Sequence, residues 1–550
     1  MKTAFAALTA GLLVASRAWA APVPAFDEAQ IRLAIGTLSS DEFDGRAPAS
    51  AGEQRTIKYL SDQFKRLGLA PANHGGYLQP VPMIQITADP DTALLISGGA
   101  TPLHFAYGND VVVTTPRPQA TVELRDSPLV FVGYGIVAPE YHWNDYAGID
   151  VHGKTVVVLV NDPGYATVDP PLFHGKAMTY YGRWTYKYEE ATRQGAAAVL
   201  IVHDTGPAGY PWEVVRNSWS GPEEELPPGN AYRLQIQGWL SHEAATTLLA
   251  AAGKDLDTLA AAAARRDFKA VELPLRASLT LHNQVREIVS HNVVGLLRGS
   301  QRPRELIVYT AHWDHFGDKP GPDGKPGIFH GAVDNATGVA GLLALAREFS
   351  RHRHSLRRSV LFIATTAEEQ GLLGAANYAA HPLFPLADTV ANLNMDEMDT
   401  FGATRDLTVR GQFMSTLDDL FQRSAATLGL KLLPDAHASK GYYYRADHFE
   451  FAKRGVPSLS VYWGTDYVGH PAGWGVEQQD AYDAQRYHKP LDVYDPSWNL
   501  AGMIQQLQAL YLAGQSLAQG EEWPQWFADS PFRAAREAQR PSAPAPSPRQ

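Results

Sequence analysis

The chain of 550 residues has no cysteine. That excludes disulfides, a thiol nucleophile, iron–sulfur clusters and cysteine-ligated zinc, so any metal must be held by His, Asp or Glu. Charge is scarce at 19% of residues, and what there is leans acidic, 47 Lys and Arg against 58 Asp and Glu. An acidic chain is poorly suited to gripping phosphate backbones, so no nucleic-acid partner is expected. Long apolar runs are also missing. The stretch Phe5 to Ala15 falls well short of the roughly 20 residues that span a bilayer, and no stable membrane insertion is expected.

What is present fits a globular protein. Apolar residues make up 45% of the chain, and the length allows more than one folding unit with a full core in each. Lys2, the apolar stretch and Ala18-Trp19-Ala20 have the form of a cleavable export signal over residues 1–20. The mature protein is therefore expected in the periplasm or beyond, and export without disulfides suggests a bacterial source.

Apolar spacing predicts two helices between Asp27 and Leu69, with a Gly- and Pro-punctuated turn at 44–48 between them. Short β-type runs follow at 121–124, 129–132 and 154–160, then a helix over 186–194 and a buried strand over 196–203. The histidines of this middle block, His142, His152, His174 and His203, lack carboxylate neighbours and read as surface or core residues. From Ile288 strands and helices alternate. Strands are expected at 292–297, 305–312, 359–366, 390–395 and 456–462, with helices at 338–351, 369–380 and 416–428. Such alternation predicts an α/β unit with a mixed, mostly parallel sheet covered by helices on both faces. The tail from Arg533, rich in Ala, Pro, Ser and Arg, is expected to be disordered.

Five blocks in the α/β segment carry chemistry. An apolar strand runs into Ala311-His312-Trp313-Asp314-His315, where His312 can ligate zinc and Asp314 can accept its second ring proton. Gly331 to Gly338 sets small residues around Asp334, either for close approach to a buried ion or as the N-cap of the next helix. A third strand ends in Ala367-Glu368-Glu369, whose adjacent acids can divide metal ligation and water activation or sit as solvated acids in a first helical turn. Asn394 to Asp399 and Tyr487-His488-Lys489-Pro490-Leu491-Asp492 add further acids and a histidine. Such groups are expected at the carboxyl ends of strands, where α/β sheets form their sites.

Taken in order, these blocks resemble the co-catalytic zinc aminopeptidases, the family of bacterial secreted leucyl-type aminopeptidases related to glutamate carboxypeptidases and glutaminyl cyclases. The resemblance spans about 288–515 and implies two zinc ions bridged by Asp334. One would also take His312 and Asp396, the other Glu369 and His488. It implies Glu368 as general base, Asp314 as the carboxylate orienting His312, and Tyr487 as a donor to the oxyanion. His448 and His470 remain alternatives for the last ligand, and Tyr442, Tyr443, Tyr444, Trp463 and Trp474 are candidates for a pocket wall. Stretches 130–136, 145–154 and 189–196 resemble a protease-associated domain. The implied organisation is a peptidase domain split into 25–110 and 280–520 around a β-rich protease-associated domain at 115–275, with a tail at 533–550. The implied activity is hydrolysis of N-terminal residues from peptides with a free N-terminus. A dipeptidase or carboxypeptidase of the same fold is the alternative, with Arg445 or Arg410 meeting a substrate carboxylate. A glutaminyl cyclase or a non-catalytic binding protein is less favoured.

Overall fold

The computed structural model describes residues 23–89, 93–167, 172–219, 221–229, 231–320, 326–411 and 414–540. The expected signal over 1–20 and the end of the expected tail lie outside the described residues.

Four strands form the centre of the main sheet, in the order Arg358–Thr365, Arg302–His312, Thr389–Met395, Ser458–Tyr462, each parallel to its neighbour. Antiparallel strands extend it on both sides. The second half of Val271–Leu297 and then Leu78–Ala88 flank one side, and Asp406–Arg410 flanks the other. Apart from the first four residues of Arg302–His312, the central strands are buried throughout, as expected for parallel strands covered on both faces.

Period-two alternation divides the side chains between those faces. Val293, Ile307, Tyr309, Val360 and Phe362 point into a core with helices Glu28–Leu38, Ala51–Arg66, Gly338–Arg351 and Ala501–Gln519. Val294, Leu306, Val308, Leu361 and Ile363 meet helices Leu373–Ala380 and His448–Lys453 on the other side. The expected sandwich of helices around a mostly parallel sheet is therefore present. None of the helices among the described residues is long and apolar enough to cross a membrane.

The two N-terminal helices form where spacing predicted them, each opened by a side-chain cap, Asp27 for the first and Ser50 for the second. Elsewhere the sequence expectations need correction. The run 292–297 is only the end of a 27-residue strand, Val271–Leu297. Its first half pairs with Thr121–Phe131 and Ala93–Ser97, and its second half with Leu78–Ala88 and Arg358–Thr365. One strand thus stitches two sheets together. The runs 121–124 and 129–132 are likewise one continuous strand.

The second sheet also takes in Leu103–Ala106 and Val111–Thr114, so its strands span 93–282 rather than 115–275. Short strands carry no sequence mark of which sheet they will join. The helix expected over 369–380 begins only at Leu373, because Glu368 to Leu372 form a turn in which Gly371 and Leu372 have positive φ. The tail is ordered further than expected. Residues Arg533–Gln539 are helical, and buried Arg536 donates to the carbonyls of Leu386 and Thr389.

Candidate metal centre

The parallel strands deliver their polar residues to one end of the sheet. His312 closes its strand, Glu368 and Glu369 follow the strand ending at Thr365, and Asp396 follows the strand ending at Met395. Asp334 comes from the turn before helix Gly338–Arg351, and His488 from the loop after helix Trp474–Gln485. These elements bring all five expected ligands together. His312 Nε2 lies 3.2 Å from a carboxylate oxygen of Asp334 and 3.2 Å from one of Asp396. His488 Nε2 lies 3.3 Å from the other Asp334 oxygen and 3.1 Å from Glu369. Asp334 therefore sits between two half-sites.

The loops that carry these groups are held in costly conformations. Ala367, just before the glutamate pair, has φ 52°; Glu397, just after Asp396, has φ 55°; and His488 itself has φ 55°. Left-handed backbone at non-glycine residues is uncommon and costs about 1–3 kcal/mol each where surrounding structure enforces it. Glycine is required beside Asp334 for a different reason. A Cβ at Gly338 would meet the Asn335 side-chain oxygen at 2.1 Å and the Met395 carbonyl at 2.6 Å.

A second set of side chains fixes the first. The Asp314 carboxylate accepts the main-chain N–H of Glu368 at 3.1 Å and of Glu369 at 3.4 Å. The expected contact of this carboxylate with His312 is looser, 3.7 Å to Nδ1, while the Asp314 main-chain carbonyl lies nearer at 3.2 Å. Asp314 thus anchors the glutamate loop at least as directly as it orients the imidazole. Asn335 donates to the Met395 carbonyl and accepts from the N–H groups of Gly338 and Glu397, joining the Asp334 turn to the Asp396 strand.

Three participants were not singled out from sequence. His315, the second histidine of its block, places Nδ1 2.5 Å from Glu369 while its buried Nε2 has no partner. Arg46, fully buried, donates to the carbonyls of Trp313, Leu38, His330 and Gly331 at 2.6–2.9 Å. It ties the N-terminal segment to two of the site loops. Asp492 accepts from the N–H groups of Val333 and Asp334. Spacing in sequence could not reveal these roles, since each joins segments far apart in the chain.

The remaining candidates fall as follows. Tyr487 stacks on His488 with ring centroids 3.8 Å apart. His448 is buried and neither of its ring nitrogens has a hydrogen-bond partner, and His470 stacks on Trp474 at 3.7 Å. Neither joins the cluster. Trp463 donates to the Glu397 carbonyl, and Tyr443 to the Ser458 carbonyl, so both act as packing residues.

Charges in this confined space shift one another. Burial favours neutral His312, but Glu368, Asp396 and Asp334 outweigh it and hold its pKa well above the usual range. Burial would raise Asp334, yet hydrogen bonds from His312 and His488 pull it well below the usual value. Burial and Asp334 push Glu369 up, while His488 and His315 more than compensate, leaving it at about 2. His488 rises to about 10 because Glu369 and Asp334 overcome its burial. Glu368 moves the other way, well above the usual carboxylate value, by burial with Asp396 and Glu369 adding to it. The adjacent glutamates are therefore driven apart, one held as an anion and one favouring its proton, the separation expected of distinct tasks.

The donor set consists of imidazole nitrogens and carboxylate oxygens, the chemistry suited to zinc without cysteine. Ligand atoms lie within 4.8 Å of one another in the sets His312–Asp334–Asp396, His312–Glu368–Glu369 and His315–Asp334–Glu369. Two of the sets share Asp334, which fits a pair of neighbouring ions.

Residues 292–512 match the family model described as Peptidase family M28. The chain is 25% identical over 240 residues to "Aminopeptidase NAALADL1" of Mus musculus, covering 40% of this chain and 29% of that protein. It is 36% identical over 104 residues to a protein of Pyrenophora teres f. teres named "Probable zinc metalloprotease", covering 19% of this chain and 22% of that one. The chain thus spans less than a third of the length of either relative. Among solved structures, an aminopeptidase from Aneurinibacillus sp. strain AM-1 is similar at 20% identity with a TM-score of 0.49, over 90% of this chain and 95% of that one. The stretch that matches this family model carries all five clustered ligands.

Proposed function

We propose that this protein is an exported aminopeptidase that uses two zinc ions, with His312 and Asp396 on one, Glu369 and His488 on the other, and Asp334 between them. The observation that carries this reading is the convergence of His312, Asp396, Glu369 and His488 around Asp334, with Glu368 beside them. When bound, zinc supplies Lewis-acid polarisation and a water ionisable near neutral pH.

The protein groups do the rest. Glu368 takes a proton from the attacking water as its oxygen bonds to the scissile carbonyl carbon. It then delivers that proton to the leaving nitrogen as the C–N bond breaks. The Tyr487 hydroxyl donates to the oxyanion of the tetrahedral intermediate. The acidic surroundings of the site favour a substrate's free α-ammonium group, which directs cleavage to the first peptide bond. We read residues 1–20 as an export signal and the sheet spanning 93–282 as a protease-associated module inserted into the peptidase.

Purified protein assayed on leucyl anilides and on their N-acetylated counterparts tests the exopeptidase claim. Hydrolysis of the free-amine substrates is expected, and preference for the blocked ones would sink it.

A further inference from the structure

Sequence alone makes Arg410 a candidate for meeting a substrate carboxylate; the structure places it elsewhere. It closes strand Asp406–Arg410, which runs antiparallel to Ser458–Tyr462 with Arg410 opposite Ser460. Only 4% of it is exposed. Its guanidinium carbon lies 3.7 Å from the centre of the Tyr462 ring and 4.7 Å from that of Tyr442. One of its nitrogens donates to the Glu397 carboxylate at 3.1 Å. The two rings are themselves fixed, Tyr462 by stacking on Trp463 and Tyr442 by donating to Asp483 at 2.9 Å. Arg410 is thus engaged inside the fold. Among the described residues, Arg410 and Glu397 are each other's only ion-pair partner.

The residue that Arg410 holds is the neighbour of a candidate ligand. Glu397 has φ 55°, a left-handed conformation that is unfavourable for a residue with a side chain. Three contacts keep it there. Its N–H donates to Asn335 at 3.3 Å, its carbonyl accepts from the Trp463 indole at 2.5 Å, and its carboxylate accepts from Arg410. A change of φ at Glu397 must move either the strand end that carries Asp396 or the turn that follows it. Asp396 has little room to move, since its carboxylate stands 3.2 Å from His312 Nε2. A buried ion pair adds little stability, because desolvating two charges cancels most of their attraction, and an apolar pair of similar volume often does as well. What such a pair can supply is one fixed arrangement.

We propose that Arg410 is a positioning residue for the metal centre. By holding the Glu397 carboxylate it fixes the left-handed turn after Asp396, and so aims the Asp396 carboxylate at the ion shared with His312. This deepens the two-zinc reading above and rests on it.

The test titrates zinc against a chromophoric chelator in the wild type, Asp396→Asn, Arg410→Met, Glu397→Met and the protein carrying both methionine substitutions. Asp396→Asn identifies the binding step that depends on Asp396. Arg410→Met is expected to weaken that step about tenfold or more, and the other step by less than about threefold. Because Arg410 acts through Glu397, the doubly substituted protein is expected to bind no more weakly than the poorer single variant. Arg410→Lys, which keeps the charge without the planar fork, guards against a folding defect and is expected to give an intermediate loss. An unchanged Asp396 step in Arg410→Met, equal loss at both steps, or additive losses in the double variant would overturn the proposal while leaving the two-zinc reading in place. A wild type that binds no zinc would defeat that reading and the proposal with it.

Discussion

The Asp492 carboxylate accepts the main-chain N–H of Asp334 at 3.0 Å, and the same carboxylate accepts from Val333 at 3.1 Å. Asp492 lies four residues after His488, so one side chain ties the loop bearing one expected ligand to the turn bearing the central one. Burial raises Asp492 to about 6, with those N–H groups pulling against it. Outer contacts of this kind typically govern metal affinity by 10–100-fold. Asp492→Ala is therefore expected to weaken zinc binding by roughly that factor, measured by competition with a chromophoric chelator. Unaltered affinity would show that the loop positions itself without this carboxylate.

Among the described residues Glu368 forms no ion pair with a histidine, whereas its neighbour Glu369 pairs with His315 and His488. Glu368→Gln should retain metal while losing about 10²–10⁴-fold in kcat, the usual contribution of a positioned acid–base group. Metal analysis alongside steady-state kinetics checks both halves. Full activity would remove Glu368 from the proton path.

Stability should depend on pH through Glu223, on the strand Pro222–Glu225 that pairs with Leu78–Ala88. Burial, with Glu224 and Glu225 beside it, raises Glu223 from 4.5 to about 8. Between those values the native protein holds a proton that the unfolded chain has released. The resulting stabilisation is fully present below the unfolded pKa and is lost as pH rises through about 8. Glu223→Gln removes this titration, so its melting temperature should gain on the wild type between pH 5 and pH 9. Parallel melting-temperature profiles across that range would show that Glu223 is not shifted in the folded protein.

Much of the site was legible because parallel strands advertise themselves. His312, Glu369 and Asp396 each stand at or just after the end of a short, mostly apolar strand, and strand ends of this kind face one side of an α/β sheet. Asp334 and His488 came from loops and needed the family pattern to be read as ligands. What escaped the sequence is long-range. His315 stands in the same block as His312, but only the fold shows that it turns to Glu369, 54 residues away. Arg46 gains its place from carbonyls more than 260 residues ahead as well as from nearby Leu38. The strand Val271–Leu297 was half missed because its first part alternates exposed and buried residues while its end is continuously buried. The two halves therefore read as different kinds of segment. The helix Arg533–Gln539 escaped because its composition is that of a loose tail, while the carbonyls that hold Arg536 lie about 150 residues earlier.

The two-ion account rests on Asp334, whose carboxylate oxygens face one histidine each. Its most direct test is zinc content per chain by plasma mass spectrometry after dialysis, for the wild type and for Asp334→Ala at matched fold by circular dichroism. The account predicts two zinc ions in the wild type and loss of tight binding at both positions on this single substitution. One zinc in the wild type, or two retained by Asp334→Ala, would contradict it.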